Sequence, residues 1–241
     1  MTPAPRTLIE ISAHLAEAAI LLDFDGSLAP IVEDPAAARP LPEAVPVLTD
    51  LCARAGAVAV ISGRPEAFIR EVLDVPKLEV VGLYGLSANP PLDDDVRSEL
   101  AAVARAEPGV ELEDKRVSIA LHARRAPEPE AALDRMRPAV RALAVEHGLA
   151  SFEGKLVLEV SPPGARKGGA VQQLLDRLRP PAALYAGDDL EDLEAFDALQ
   201  GRGIATCRVA VVASGTPARL VEVADVQAQG PLGLLDLLRA L

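Results

Sequence analysis

Tryptophan is absent from these 241 residues, and four phenylalanines and two tyrosines make up the whole aromatic complement. So few rings exclude a surface that grips nucleic acid by stacking on its bases. Cations are scarce too, 24 against 36 acids for a formal net charge of −12, which would repel a polyanionic partner. Cys52 and Cys207 are the only cysteines, with no CxxC or metal-ligand spacing, so two buried thiols are expected. No apolar run approaches the ~18 residues of a membrane span. The N-terminal segment has a single Arg6 and no uninterrupted apolar block of signal-peptide length. The expectation is a soluble cytoplasmic protein, a monomer, with no nucleic-acid or membrane partner. With half the residues apolar and aromatics rare, the core must be built from Ala, Leu and Val. To handle an anionic small molecule, such a chain must gather its few cations in one place or recruit a metal.

What is present is a series of short apolar runs closed by polar turns. Residues 18–24, AAILLDF, have the continuous apolar character of a parallel strand covered on both faces, and that character stops at Asp25-Gly26-Ser27. A proline-rich stretch and a helical pattern through Val45, Leu48 and Leu51 lead to a second run, AVAVI at 57–61. It ends in Ser62-Gly63-Arg64-Pro65, where the proline suits the first turn of a helix. Residues 78–83 read as a third strand. Strand, helix, strand, helix, strand is the α/β pattern of a doubly wound, Rossmann-like parallel sheet. After Asn89-Pro90-Pro91 the texture changes: 93–107 and 128–146 read as amphipathic helices. Between them Val117, Ile119 and Leu121 alternate as in a half-exposed strand, and 156–160 reads as another. Residues 89–162, between two Pro-Pro sequences, are expected to form an inserted α+β domain, with 1–88 and 163–241 a discontinuous core. From Lys167 the doubly wound pattern resumes: a helix through Val171, Leu174 and Leu178, a strand at 182–186, and strand candidates at 209–213 and 223–226.

Three of these strand ends close on polar groups: Asp23 and Asp25, Ser62 and Gly63, Asp188 and Asp189. Ligands of open α/β sheets bind beyond the carboxyl ends of the strands, so residues remote in sequence are expected to share one crevice. Each piece alone has a plainer reading, a helix cap for the acids or a turn for Ser62-Gly63; their joint occurrence favours a site. Carboxylates two residues apart resist ionising together and need separate roles. Asp23 suits a nucleophile that takes a phosphoryl group. Asp25 suits an acid that protonates the leaving oxygen and then deprotonates water. So many acids facing a phosphate require a hard cation, and Asp23, the Asp25 carbonyl and Asp188 make an oxygen set suited to Mg2+. Ser62, Gly63 and Lys167 would hold the phosphoryl oxygens. A lysine that opens a helix opposes the helix dipole, so Lys167 either serves such a purpose or is a solvated surface residue.

The strings LLDFDGSL, ISGR, the Lys167-Gly168-Gly169 helix start and AGDDLEDLEAF stand in the order of the four signature motifs of the haloacid dehalogenase superfamily. The chain resembles that superfamily's sugar phosphatases, whose inserted cap follows the second motif. Among them it is similar to the trehalose-6-phosphate phosphatases over nearly its whole length. The resemblance lies in GLYGL at 82–86, EDKRVSIALHAR at 113–124, GKLVLEVSPPGARKGG at 154–169 and GDDLEDLEAF at 187–196. It implies hydrolysis of a small sugar phosphate through an aspartyl phosphate on Asp23. It implies Mg2+ held by Asp23, Asp25 and Asp188, with Asp189 and Asp192 behind them. It further implies that Glu113, Lys115, Arg124, Lys155 and Glu159 grip sugar hydroxyls from the cap, where charged hydrogen-bond forks can tell one disaccharide from another. Lys155, Val157 and Glu159 alternate, which puts them on one face. Each alone reads equally as a solvated sheet face, and His122, a lone histidine on a strand, reads as structural.

The chain also departs from the family's pattern. Ser27 replaces a commoner Thr, Tyr84 stands where His is frequent, and Ser87 where Glu often follows. Glu191 and Leu193 replace a Thr and an acid, while Asp192 is kept. The catalytic set is intact; the change at Ser87 bears on which sugar is taken. Competing substrates are sucrose phosphate, mannosyl-3-phosphoglycerate and a trehalose-like pseudosaccharide phosphate. A reading of a different class is a non-catalytic sugar-phosphate-binding or regulatory domain, against which the presence of both Asp23 and Asp25 counts. The proline-rich linkers near Asn89 and Pro162 are expected to let the cap close on its substrate.

Overall fold

Runs of Ala, Val, Leu and Ile without polar alternation belong where helices cover both faces of a sheet. The computed structural model, which describes residues 5–32, 34–88, 90–154, 156–163 and 166–241, places them there. Contacts divide the chain into two units, Met1–Gly85 with Arg166–Leu241, and Leu86–Ala165. The first unit opens with α1 (Arg6–Ala13), β1 (Ala19–Leu22), α2 (Ala44–Arg54), β2 (Ala57–Ile61), α3 (Glu66–Val72) and β3 (Glu79–Val81). The second unit holds α4 (Asp94–Arg105), β4 (Glu111–Asp114), β5 (Ile119–His122), α5 (Pro129–Glu146), β6 (Ala150–Gly154) and β7 (Val157–Ser161). The chain then returns to the first unit through α6 (Lys167–Leu178), β8 (Ala182–Gly187), α7 (Asp192–Leu199) and β9 (Ala205–Val212). It ends with α8 (Ala218–Val223), β10 (Val226–Gln229) and α9 (Gly230–Arg239).

The first unit is a six-stranded sheet in the order β10-β9-β8-β1-β2-β3, parallel at every pairing. Alternate residues feed two separate cores. Ile20, Leu22, Val58, Val60 and Leu184 point to the face covered by α1, α2, α3 and α9. Leu21, Ala59, Ile61, Ala183 and Tyr185 point to the face covered by α6, α7 and α8. Such two-sided burial explains why β1 and β8 carry no exposed position. The second unit is a four-stranded antiparallel sheet, β4-β5-β7-β6, with one face covered by α4 and α5 through Leu100, Ile119, Leu121, Leu133, Met136, Leu158 and Val160. Among the described residues no helix is long and apolar enough to cross a membrane.

Several expectations need correction. The third strand stops at Val81, because Leu83 and Tyr84 turn into the left-handed region at φ 49° and 52°. Residues 223–226 are not one strand: Val223 ends α8 and Val226 begins β10. The apolar stretch there is split because Leu220 faces the core from a helix while Ala228 does so from a strand. Strands β4 and β6 add to the strands expected from the sequence. Cys207 is buried as expected, whereas Cys52 is half-buried, and both are free thiols.

Candidate active site

The carboxyl ends of β8, β1, β2 and β3 lie side by side, and each delivers one part of the site. Asp23 extends β1 by one ladder bond, its N–H donating to the Ala186 carbonyl at 2.9 Å. The side chain is 3% exposed as a residue. Its Oδ1 takes Lys167 Nζ at 2.8 Å, while Oδ2 is buried with no hydrogen-bond partner among the described residues. A buried acceptor left unpaired is costly, which suits an atom meant for an incoming cation or electrophile.

Lys167 opens α6 yet is only 6% exposed, so it is not a solvated surface lysine. Its ammonium also reaches Asp192 Oδ1 at 2.7 Å. Burial works against the charge, but Asp192 and Asp23 outweigh it and hold Lys167 well above the ordinary lysine range. Asp192, at the start of α7, is fully buried and ties the region together. Its Oδ1 accepts from Lys167 and from the Tyr185 hydroxyl at 2.7 Å, and its Oδ2 from the N–H groups of Asp188 and Asp189 at 2.8 and 2.9 Å. Four donors fill the lone pairs of a carboxylate. Asp23, Asp188 and Asp192 bring oxygens within 4.8 Å of one another, but Asp192 is already saturated. Asp23 and Asp188 are therefore the members of this trio able to take a cation.

Asp188 closes over Gly26. With φ at +84°, and with a Cβ there only 2.1 Å from Asp188 Oδ2, position 26 admits the acid only as glycine. Burial, and then Asp192, push the Asp188 carboxyl up to about 7. Burial also raises Asp23 well above its ordinary value, against the pull of Lys167. Carboxylates held in this state gain from a divalent cation, and hard oxygen donors are the set that Mg2+ takes. The residues present fit that ion.

Asp25 has a different environment. Arg64 Nε and Nη2 bind its two oxygens at 2.5 and 2.7 Å, and Arg64 Nη1 donates to the Pro35 carbonyl at 2.6 Å. The guanidinium lies 4.5 Å from the Phe68 ring centroid, a cation–π contact that fixes its plane. Ser62, 2% exposed, donates its N–H to the Val81 carbonyl at 3.1 Å and accepts the Arg64 N–H on Oγ at 3.2 Å. Gly63 lies between them in the chain. Beyond β3, Leu83 and Tyr84 each bear a left-handed backbone worth about 1–2 kcal/mol of strain. Bonds from Leu83 N–H to the Arg64 carbonyl (2.9 Å) and from Tyr84 N–H to the Ser62 carbonyl (3.1 Å) offset it. Arg64, Tyr84 and Tyr185 were absent from the expected site. Arg64 stood within the ISGR string, and Tyr185 was a lone hydroxyl in an otherwise apolar strand.

In the second unit, register aligns Glu113, Ala120, Glu159 and Phe152 across β4, β5, β7 and β6, on the face opposite the α4 and α5 core. Lys115 Nζ bonds Glu159 at 3.2 Å, and His122 Nε2 lies 2.9 Å from Glu113 Oε2. The structure thus brings Glu113, Lys115 and Glu159 onto one polar face and adds His122 to it. Arg124 is exposed in the turn after β5. Lys155 lies outside the described residues.

Comparison with known proteins follows the same outline. A family model described as trehalose-phosphatase matches residues 21–221. A trehalose-phosphate phosphatase of Mycobacterium avium (strain 104) is 34% identical over 204 residues, covering 76% of this chain and 51% of the relative. The chain spans about half the length of the curated relatives it matches, 51% in two mycobacterial cases. The solved trehalose-6-phosphate phosphatase of Aspergillus fumigatus (crystal form 3) superimposes with a TM-score of 0.72 at 26% identity, covering 100% of this chain and 98% of that one. A haloacid dehalogenase-like hydrolase from Bacteroides thetaiotaomicron gives 0.70 at 14% identity, covering 92% and 98%, a likeness of fold alone.

Proposed function

This chain belongs to the trehalose-phosphatase family, and on that premise we propose that it is a Mg2+-dependent phosphatase hydrolysing trehalose 6-phosphate through a phosphoryl group carried on Asp23. The observation that carries the proposal is the buried Asp23 Oδ2, without a hydrogen-bond partner among the described residues, at the end of β1 beside Lys167 and Asp188. That oxygen attacks phosphorus as the bond from phosphorus to the sugar oxygen breaks, and Asp25 gives the leaving oxygen its proton. Asp25, now ionised, takes a proton from water as the water oxygen attacks phosphorus. The bond from phosphorus to Asp23 then breaks and releases phosphate. Lys167 has three donors, two of which are engaged by Asp23 and Asp192, leaving one for a phosphoryl oxygen. Ser62 and the Gly63 N–H would hold another. Asp23, the Asp25 carbonyl and Asp188 would hold Mg2+, whose charge offsets the carboxylates that face the phosphate.

Glu113, Lys115, Arg124, Lys155 and Glu159 are proposed to bind the sugar hydroxyls. Support comes from the shared polar face of Glu113, Lys115 and Glu159, where Lys115 orients the Glu159 carboxylate and His122 the Glu113 carboxylate. Phosphate release from trehalose 6-phosphate with Mg2+, beside glucose 6-phosphate and sucrose 6-phosphate, tests the proposal. Release from trehalose 6-phosphate should exceed the others and stop in excess EDTA. Preference for sucrose 6-phosphate would move the assignment to a related sugar phosphate, and full activity in EDTA would remove the metal.

A further inference from the structure

Tyr84 and Glu191 stand 107 residues apart, both at positions where the chain departs from its family's pattern, and they meet: the Tyr84 hydroxyl donates to Glu191 Oε2 at 2.6 Å. Burial pushes the phenol well above its ordinary value, so the hydroxyl keeps its proton and donates in one direction. The Glu191 N–H in turn donates to Asp189 Oδ1 at 2.6 Å, which ties the acceptor into the loop that carries Asp188. On its other side the ring leans on the Ser62-Gly63 turn. A Cβ at position 63 would lie 2.7 Å from the Tyr84 hydroxyl oxygen and 3.0 Å from Cζ, so glycine leaves the room the ring uses. The Tyr84 N–H is bonded to the Ser62 carbonyl at 3.1 Å, and the left-handed turn at Leu83 and Tyr84 holds the residue there.

We infer that Tyr84 and Glu191 are positioning residues of this site: their hydrogen bond fixes the Ser62-Gly63 turn against the Asp188 loop and thereby sets phosphate affinity and turnover. The inference rests on the phosphatase reading above, since it takes Ser62 and Gly63 to hold phosphoryl oxygens and Asp188 to hold the cation. Neither residue touches the reacting atoms. Each acts by holding two strand-end loops at a fixed spacing, where small displacements of binding groups are costly to turnover.

The test measures kcat on p-nitrophenyl phosphate with Mg2+ and, separately, calorimetric binding of inorganic phosphate with Mg2+. Tyr84→Phe and Glu191→Ala should each lower both by about tenfold, the change a lost hydrogen bond to a charged group produces. The double variant should be no worse than the worse single one, because both changes break one bond. Glu191→Gln, which keeps an acceptor oxygen, should recover to within about threefold of wild type. Tyr84→Phe with full turnover and phosphate affinity would overturn the inference, even if its unfolding temperature fell. So would losses that multiply in the double variant. A wild-type chain that binds phosphate but releases none from any monoester defeats the phosphatase reading, and the binding measurements then decide the inference alone. A wild-type chain that binds no phosphate overturns both.

Discussion

Asp25 is the residue whose surroundings say most about how the site could work. One guanidinium holds both Asp25 oxygens, while a carbonyl and an aromatic ring hold the guanidinium. Both oxygens accept in this arrangement, so for Asp25 to give the leaving oxygen its proton, as proposed, Arg64 must release one of them. Arg64 is then a positioning group, and lysine cannot replace its planar fork. Arg64→Lys should lower kcat on trehalose 6-phosphate by about tenfold, and Asp25→Asn by a hundredfold or more, the range general acid–base groups supply. Single-turnover phosphate release should show both aspartyl-phosphate formation and breakdown slowed. An Arg64→Lys variant with wild-type rates would mean that the clamp only supports the fold. Asp23, Ser62, Lys167 and Asp188 were legible in the sequence because each follows or faces a recognisable strand end. The partners of Arg64 and Tyr185 were not, because they depend on side chains meeting across 39 residues in one case and on a tyrosine looking like one more apolar strand residue in the other. Tyr84 and Glu191 both stand out in the sequence as departures from the family's pattern, but their pairing across 107 residues lies beyond the reach of local spacing.

Among the elements, the strands of the first sheet were the easiest to foresee. Being buried on both faces, they must be apolar throughout, and AVAVI or AALYA admits few other settings. Strand β4 is the opposite case: Glu111, Leu112, Glu113 and Asp114 are all exposed, so no apolar period marks it. Only pairing with β5 makes it a strand. That exposure also gives β4 its proposed use, because a strand with no core duty can present carboxylates in register with Glu159. Glu113→Ala and Glu159→Ala should each lower kcat/KM on trehalose 6-phosphate by roughly tenfold or more, the size expected when a charged hydrogen-bond partner is lost. Hydrolysis of p-nitrophenyl phosphate, which offers no sugar hydroxyls, should change little. Equal losses on both substrates would show that these acids, which also pair with His122 and Lys115, serve the sheet itself.

For the whole molecule, scarcity of rings and excess of acid meet at one place. Of the chain's four phenylalanines and two tyrosines, Phe24 and Phe68 flank Arg64, Tyr84 leans on Gly63, and Tyr185 with Phe196 backs Asp192. The first unit thus uses its large rigid side chains to brace charged groups, while Ala, Leu and Val fill the rest of its core. Bracing acids this closely makes stability depend on pH and, on the proposed function, on metal as well. Asp188 is raised from an ordinary 3.8 to about 7, by burial and then by Asp192; Asp23 and Asp189 are raised as well, both chiefly by burial, with Lys167 opposing. The folded chain therefore binds these protons more tightly than the unfolded chain does. The stability that protonated Asp188 contributes is complete below 3.8 and is lost as pH rises through about 7. The proposed Mg2+ would need the ionised carboxylates and take the place of those protons, so its apparent affinity should fall about tenfold per pH unit for each proton displaced below that point. At fixed Mg2+ the rise in unfolding temperature should be small near pH 5.5 and grow through pH 7 as Asp188 ionises, since stabilisation follows the ratio of free metal to its dissociation constant. Scanning calorimetry with and without Mg2+ at each pH isolates this difference from the background titration of surface acids. Asp188→Asn should abolish the Mg2+-dependent rise at every pH while flattening the pH dependence of the metal-free chain. A rise that is constant across pH, or larger on the acid side, would show that Mg2+ does not bind at Asp23 and Asp188.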